Sequence, residues 1–295
     1  MKIRIISPAK VNLFLKVGDK RPDGYHNIVT LFERIGLCDY IDLEVTKDAG
    51  IKLSCNNPCV PQDKTNLAFK AAAALKRDFP SRGGGVRIHI DKRIPPGSGL
   101  GGGSSNAAVA LLGLNRLWRL RLSIKQLTRY ARDIGADTAF FLRNKPFALG
   151  RGRGDEVSVL RINRSFWHIL VIPKINISTR YIYGKVKRNL SLTKGGFDAK
   201  ISIYALSRGG KTRWQEAVAN DLQEVALREY PRLGRIIRRL RQLGCAAVAM
   251  SGSGGAVFGL AQDRREGEEI IRRLKIGRDT EVFLVKTYRQ ACMRI

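Results

Sequence analysis

Apolar residues recur along this chain with two different spacings, which predict where its strands and helices lie. Short apolar-rich runs bounded by Gly, Pro or Asp predict strands, and apolar positions three and four residues apart predict helices. In the first half, the pattern predicts strands at 10–17, 28–35, 41–45, 51–55 and 86–90, and helices at 66–79, 106–118 and about 123–135.

The second half repeats none of this pattern. It predicts strand 166–172, a helix capped by Ser178 and ending near Arg188, helix 231–243, strands 245–250 and 256–261, helix 264–274 and strand 281–288. Apart from an extra helical insertion, this order of elements is that of a ferredoxin-like fold. We therefore predict an α+β protein of two lobes, residues 1–158 and 159–295, divided near the glycine-rich segment 150–155.

Composition narrows the class of protein without identifying a site. A hydrophobic content of 44% and a charged content of 27% are typical of a globular protein. No apolar run reaches the ~18 residues of a membrane span, and the short basic segment 1–7 leaves no room for a signal peptide, so we expect a cytoplasmic location. The five scattered cysteines and three distant histidines indicate reduced thiols and no zinc site.

The net charge of +29 is the unusual bulk property. It fits a nucleic-acid partner, a polyanionic substrate or an arginine-rich surface. In 231–243 arginines interleave with apolar residues, and Glu268 and Glu269 each stand four residues before an arginine, the spacing of ion pairs on a helix surface. We interpret most of the charge as surface charge and expect no specific nucleic-acid partner.

A glycine-rich loop after predicted strand 86–90 carries the strongest chemical signal. Its residues are Pro95, Pro96, Gly97, Ser98, Gly99, Leu100, Gly101, Gly102, Gly103, Ser104 and Ser105. A Walker A motif is excluded because the loop contains no lysine. A dinucleotide fold is excluded because segment 116–125, where its acidic residue is expected, is basic. A glycine backbone that leads into a helix N-terminus still suits a nucleotide diphosphate.

Three separate motifs resemble those of the GHMP kinases, the family of galactokinase, homoserine kinase and mevalonate kinase. Segment 96–107 resembles the second motif, Ser-Pro-Ala-Lys-Val-Asn-Leu at 7–13 the first, and the glycine-rich segment 250–258 the third. The run Gly-Gly-Gly-Ser-Ser-Asn-Ala, together with Arg-Pro-Asp-Gly-Tyr-His at 21–26, is similar to a subgroup that acts on an alcohol linked to cytidine diphosphate. The resemblance runs in order from residue 7 to about 260.

The candidate catalytic residues are Lys10 and Asp137. Lys10 and Asn12 point to one face of a predicted strand, which alone fits an exposed strand face equally well. Asp137, taken alone, is better explained as a helix cap. The resemblance implies that Asp137 accepts the proton of the substrate hydroxyl and that Lys10 stabilises the charge. Thr138 and Ala139 replace the Val-Pro usual in the family, which affects the loop but not the carboxylate.

The resemblance also assigns the substrate site. It implies that Tyr25 and His26 bind a cytosine and that Tyr183 matches the aromatic on its other face, although Tyr181 lies close enough in sequence to compete for that assignment. The third motif would close over the site with Ser251, Gly252, Ser253 and Gly254; a plain hairpin loop is the alternative. Asn12 would contribute on the substrate side, and Asn66 would lie near the adenine.

Together these assignments imply a two-lobed GHMP fold, with a ribosomal S5 domain 2-like N-terminal lobe and a ferredoxin-like C-terminal lobe. ATP with Mg²⁺ would phosphorylate the 2-hydroxyl of 4-diphosphocytidyl-2-C-methyl-D-erythritol, a small-molecule substrate of non-mevalonate isoprenoid synthesis. No carboxylate is an evident Mg²⁺ ligand. One alternative is a homoserine or mevalonate kinase, which has no cytosine to bind. Another is a basic RNA-binding module, which leaves Lys10, Asp137 and both glycine loops unexplained.

Overall fold

The computed structural model describes residues 1–80, 84–186 and 199–292. The elements follow in chain order: β1 (Lys2–Lys20), β2 (His26–Thr46), β3 (Ile51–Cys55), α1 (Leu67–Asp78), β4 (Gly85–Asp91), α2 (Gly102–Leu117), α3 (Ile124–Ile134), α4 (Thr138–Leu142), β5 (Phe147–Arg151), β6 (Glu156–Val159), β7 (Trp167–Pro173), α5 (Thr179–Gly184), α6 (Ala199–Arg208), a 3-10 helix (Lys211–Ala217), β8 (Ala219–Asn220), α7 (Leu222–Glu229), α8 (Pro231–Gln242), β9 (Ala247–Met250), β10 (Val257–Ala261), α9 (Arg264–Arg273) and β11 (Thr280–Lys286).

The first sheet has seven strands, with β3-β4-β2-β1-β8 as its main path and β5 and β6 branching from β2. Predicted strands 28–35 and 41–45 are one continuous strand, β2, so the predicted break between them is wrong. Asp39, which lies between the two predicted strands, is fully buried. Its carboxylate accepts hydrogen bonds from the backbone N–H groups of Arg93 and Ile94, both at 2.8 Å, which makes its burial tolerable.

Helix α2 is the central helix of the N-terminal lobe. It contacts β1, β2 and the other three helices of this lobe, and its Ala- and Leu-rich sequence is buried on nearly every side. It begins at Gly102 rather than at the predicted Asn106. Gly101, in the left-handed conformation, precedes its first residue, so Gly102, Gly103, Ser104 and Ser105 belong to the helix. Helix α3 begins where predicted, with Ser123 and Gln126 forming a capping box.

The second sheet has the strand order β11-β7-β10-β9, and its strands are antiparallel. Numbered within the lobe, this order is 4-1-3-2, so the predicted ferredoxin-like arrangement is confirmed. Ser178 caps α5 as predicted, by accepting a hydrogen bond from Tyr181 N; the predicted helix end at Arg188 lies outside the described residues. Strands β5, β6 and β8 and helices α6 and α7 were not predicted.

The two halves of the chain share the first sheet. Strand β8 comes from the second half and pairs in parallel with β1 at Phe14 and Leu15. The division of the chain near residue 158 stays a prediction. The pairing of β8 with β1 joins residues from the two sides of this predicted boundary. Among the described residues, no helix combines the length and the apolar character needed to cross a bilayer.

Candidate active site

A cleft of about 1070 Å³ is lined by residues from every predicted motif. Its walls include the middle and end of β1, the segment after β1, the glycine-rich loop before α2, and the turn between β9 and β10. The assigned residues that line it are Lys10, Asn12, Tyr25, His26, Pro95, Pro96, Gly97, Ser98, Gly99, Leu100, Gly101, Gly102, Gly103, Ser104, Asp137, Tyr183, Gly252, Ser253 and Gly254.

The ammonium group of Lys10 lies at the centre of this cleft and is almost fully buried. It is 3.2 Å from Asp137 Oδ2, and it donates hydrogen bonds to Asn12 Oδ1 at 2.6 Å and to the Gly99 carbonyl at 2.9 Å. Asp137 precedes α4 and its side chain makes no capping hydrogen bond, so the carboxylate is not used as a helix cap. The structure therefore places a carboxylate and an ammonium group side by side, next to a glycine loop.

The glycines of the loop are required by its path. Gly97, Gly99 and Gly101 all have positive φ, between 69° and 83°, a region that side chains disfavour. At Gly101 the backbone also lies against Lys10, since an added Cβ would be 2.9 Å from Lys10 Cε. The loop leads directly into α2, whose first residues carry the free N–H groups and positive potential that bind phosphates.

Two of the residues assigned to ATP are turned away from the cleft, and these assignments are corrected. Ser105 is fully buried and accepts a hydrogen bond from Ser7 Oγ at 2.8 Å, so it fixes the base of α2 to β1. Asn66 caps α1: its amide oxygen accepts from Ala68 N at 2.9 Å, and its amide nitrogen donates to the Pro61 carbonyl at 2.7 Å. With both ends of its amide engaged, Asn66 fixes a helix start.

The turn after β9 closes one side of the cleft, but Ser251 does not line it. This residue is fully buried; its hydroxyl donates to the Gly99 carbonyl at 3.1 Å and lies 3.4 Å from Asn12 N, from which it accepts. We therefore correct its assignment from substrate binding to fastening the two glycine loops together. Gly252, which follows, does line the cleft.

Aromatic residues also line the cleft. The rings of His26 and Tyr183 are 5.7 Å apart, and Tyr25 is 55% exposed. Burial, and then the negative charge of Asp137, raise the pKa of the Tyr183 hydroxyl, so it stays a neutral phenol. Of the two tyrosines that compete for this assignment, Tyr183 lines the cleft and Tyr181 does not; Tyr181 donates instead to Glu229 Oε2 at 2.6 Å.

The sequence did not indicate four cationic residues that line the cleft, Lys20, Lys92, Arg153 and Arg180, of which Arg153 and Lys92 make the following contacts. Arg153 lies with its guanidinium 5.2 Å from the centre of the Tyr25 ring and donates to the Arg132 carbonyl at 3.1 Å. Lys92 is 2.5 Å from the buried Asp39 carboxylate, and burial lowers the pKa of its ammonium group. Each stands beside a glycine segment, and this proximity in sequence was the signal available for finding them.

No group of three or more His, Cys, Asp or Glu side chains in the described part of the chain could hold a metal ion. A dedicated protein cage for Mg²⁺ is therefore absent from these residues. The cleft does offer the hydroxyl of Ser104, which lines it in the first turn of α2. This is compatible with Mg²⁺, which usually keeps several waters and is bound through substrate phosphates.

Comparison with known proteins agrees with this geometry. Residues 66–145 match the family described as GHMP kinases N terminal domain, and residues 202–277 match GHMP kinases C terminal. The 4-diphosphocytidyl-2-C-methyl-D-erythritol kinase of Shouchella clausii is 38% identical over 289 residues, which cover 98% of this chain and 95% of that protein. The enzyme of the same name from Geobacter sp. is 39% identical, covering 89% and 90% of the two chains.

Solved structures give the same result. A crystal structure of 4-(cytidine 5'-diphospho)-2C-methyl-D-erythritol kinase matches with a TM-score of 0.78 and 33% identity, covering 96% of this chain and 99% of that one. A homoserine kinase from Cytophaga hutchinsonii also has a TM-score of 0.78, over 98% and 96% of the chains, but at 16% identity it shows the fold alone. The fold is that of a GHMP kinase. Within that class, the chain belongs to the family of 4-diphosphocytidyl-2-C-methyl-D-erythritol kinases.

The loop geometry makes a prediction about two glycines that share a backbone conformation. At Gly99 an added Cβ would lie 2.3 Å from the Ser251 carbonyl oxygen, whereas at Gly97 nothing lies within 4 Å. We expect Gly97→Ala to cost about 1–2 kcal/mol for its positive φ alone. Gly99→Ala should cost more and weaken ATP binding, because the two glycine loops must separate. Denaturant unfolding and nucleotide titration measure both effects; equal effects of the two variants would contradict the close contact.

Proposed function

We propose that this protein transfers the γ-phosphoryl group of ATP to the 2-hydroxyl of 4-diphosphocytidyl-2-C-methyl-D-erythritol. The products are ADP and the 2-phosphate, and the reaction is a step of non-mevalonate isoprenoid precursor synthesis. Family membership supports the reaction. The observation that ties it to residues of this chain is the 3.2 Å contact between Lys10 and Asp137 in a cleft lined by the glycine loop.

The mechanism follows from this contact. Asp137 accepts the proton of the substrate hydroxyl as the oxygen attacks the γ-phosphorus, and the ADP oxygen leaves on the opposite side. Lys10 stabilises the negative charge on the attacking oxygen and the transferred group. The loop holds the phosphates through backbone N–H groups, so positioning and charge supply most of the rate.

The aromatic residues of the cleft supply the specificity. Tyr25 and Tyr183 stack on the cytosine, and His26 binds its edge. Arg153 lies beside Tyr25 and adds positive charge where a diphosphate must pass on its way to Lys10. A homoserine or mevalonate kinase has no cytosine for these aromatic residues to hold, so the aromatic end of the cleft favours the cytidyl substrate.

Mg²⁺ is part of the proposal as the partner of ATP. It would arrive with the phosphates, with the Ser104 hydroxyl as the ligand that this chain offers. Its chemistry is to neutralise charge on the phosphate oxygens. We also propose a cytoplasmic location, where ATP is available and the five free cysteines stay reduced. A specific nucleic-acid partner is not part of the proposal.

A coupled ADP-release assay tests the substrate. With ATP and Mg²⁺, we expect turnover of 4-diphosphocytidyl-2-C-methyl-D-erythritol and none of homoserine or mevalonate. Chelation of the metal should stop turnover, and added Mg²⁺ should restore it. A preference for homoserine or mevalonate would assign the chain to a different reaction within the same fold.

The base assignment predicts the effect of a nearly isosteric change. Asp137→Asn keeps the size of the side chain but cannot accept the proton, so we expect kcat to fall by about 100-fold or more while ATP affinity is retained. Asp133→Asn, on the exposed face of α3, removes the same charge outside the cleft and serves as the control. Near-wild-type turnover of Asp137→Asn would rule out its role as the base.

The cytosine site predicts a selective loss of substrate binding. Tyr25→Ala should raise KM for the cytidyl substrate roughly 10-fold, because stacking on a base is worth about 1–3 kcal/mol, and leave KM for ATP nearly unchanged. Tyr181→Ala is the matched control, since this tyrosine is also exposed but lies outside the cleft. Equal changes in the two KM values would argue against a cytosine site at Tyr25.

A further inference from the structure

Asn220 is a buried residue of β8 whose side chain is fully engaged. Its amide nitrogen donates to the carbonyl oxygen of Met250 at 2.8 Å and to that of Gly252 at 2.7 Å. Its amide oxygen accepts from Leu222 N at 2.9 Å. Asn220 itself does not line the cleft, so it touches the active-site turn from behind.

The turn that Asn220 holds lies directly against the catalytic ammonium group. Gly252 has a φ of +57°, and an added Cβ there would be 3.1 Å from Asn12 Oδ1 and 3.4 Å from Lys10 Nζ. The Gly252 backbone therefore sets how much room the Lys10–Asn12 hydrogen bond has. A shift of this backbone changes the position of the ammonium group relative to Asp137.

Strand β8 is in turn fixed to the strand that carries Lys10. Asn220 is in register with Leu15 of β1, and the next residue, Asp221, is bonded to β1 twice. Asp221 N donates to the Leu15 carbonyl at 3.0 Å, and its carboxylate accepts from Val17 N at 2.8 Å. The Asn220 side chain thus spans from the β1 edge to the turn, and ties the two walls of the cleft to each other.

The chemistry of this contact requires a primary amide. Two carbonyl oxygens need two donors, and the Leu222 N–H needs an acceptor; a short side chain with all three is asparagine. An aspartate would keep the acceptor but would lack both donors, and its second carboxylate oxygen would face two carbonyl oxygens. Such a replacement leaves buried acceptors unpaired.

We propose that Asn220 is a positioning residue for phosphoryl transfer, which holds Gly252 so that Lys10 stays aligned with Asp137. This inference rests on the proposed function. A misplacement on the order of 1 Å can cost about 100-fold in rate. The effect should appear in kcat rather than in either KM, because Asn220 touches neither the nucleotide nor the alcohol.

The structure offers a closely matched control at Asn115. Its amide nitrogen donates to the Leu122 carbonyl at 3.0 Å and its oxygen accepts from Leu122 N at 2.9 Å, at the end of α2 and outside the cleft. Asn115→Asp and Asn220→Asp make the same chemical change: each keeps the bond accepted from a backbone N–H and loses the bonds donated to carbonyls. Of these two variants, only Asn220→Asp removes bonds to the active-site turn.

The experiment compares both variants with the wild type for melting temperature, kcat and the KM values of ATP and the cytidyl alcohol. We expect both to lower the melting temperature, but Asn220→Asp alone to lower kcat, by roughly 10- to 100-fold, with each KM within about 3-fold of wild type. Asn220→Ser keeps one donor, so its kcat should fall less than that of Asn220→Asp. It replaces Asn220→Asp in the comparison if Asn220→Asp does not fold.

A kcat of the Asn220 variants equal to that of Asn115→Asp would overturn the inference, because the residue would then only cap the start of α7. Parallel rises in both KM values would also overturn it, since they indicate a general loosening of the cleft. The wild-type protein distinguishes failure of the inference from failure of the proposed function. Absence of wild-type turnover contradicts the proposed function itself, and with it the inference that depends on it.

Discussion

The burial of one ammonium group governs the architecture of this protein. Lys10 is 3% exposed, and a buried charge is tolerated only when it is paired and hydrogen-bonded. Its three partners come from different elements: Asn12 from the same strand, the Gly99 carbonyl from the loop before α2, and Asp137 from the turn before α4. Strand, loop and helix must converge at one point, and the active-site cleft is the result.

The same requirement explains where glycine is needed. Backbone approaches Lys10 and its partner Asn12 from two sides: an added Cβ would lie 2.9 Å from Lys10 Cε at Gly101 and 3.1 Å from Asn12 Oδ1 at Gly252. The pair Ser251–Gly99 then fastens the two approaching segments to each other. Close packing around a single charged group therefore turns two separate glycine-rich sequences into one site.

The sequence predicted those parts of the site that depend on local pattern. The glycine loop and the helix start at Ser123 could be found because each lies in a short motif whose chemistry is readable without the fold, whereas Lys10 was found through the family resemblance of its motif. The sequence misassigned Ser105 and Ser251, because a hydroxyl at the edge of a glycine loop has the same sequence whether it faces a ligand or a buried neighbour. Only the packed structure decides which way such a side chain turns.

Long-range pairings were the other part that the sequence could not supply. Strand β8 has two residues, too few for any periodicity, and exists because β1 offers it an edge. The prediction divided the long strand β2 in two, and the buried Asp39 between the two predicted strands is stabilised by the backbone of Arg93 and Ile94. In both cases the decisive contacts lie more than fifty residues away along the chain.

The position of β8 also bears on how the polypeptide acquires its shape. At Phe14 and Leu15 the edge of the first sheet is paired by residues 219–220, so the N-terminal lobe lacks this pairing until the ribosome has made that part of the second half. Contacts that span some 200 residues form late and slow the search for the native state. The lobes of this kinase are therefore expected to mature together, and a cut between them would leave the first one with an open β-edge.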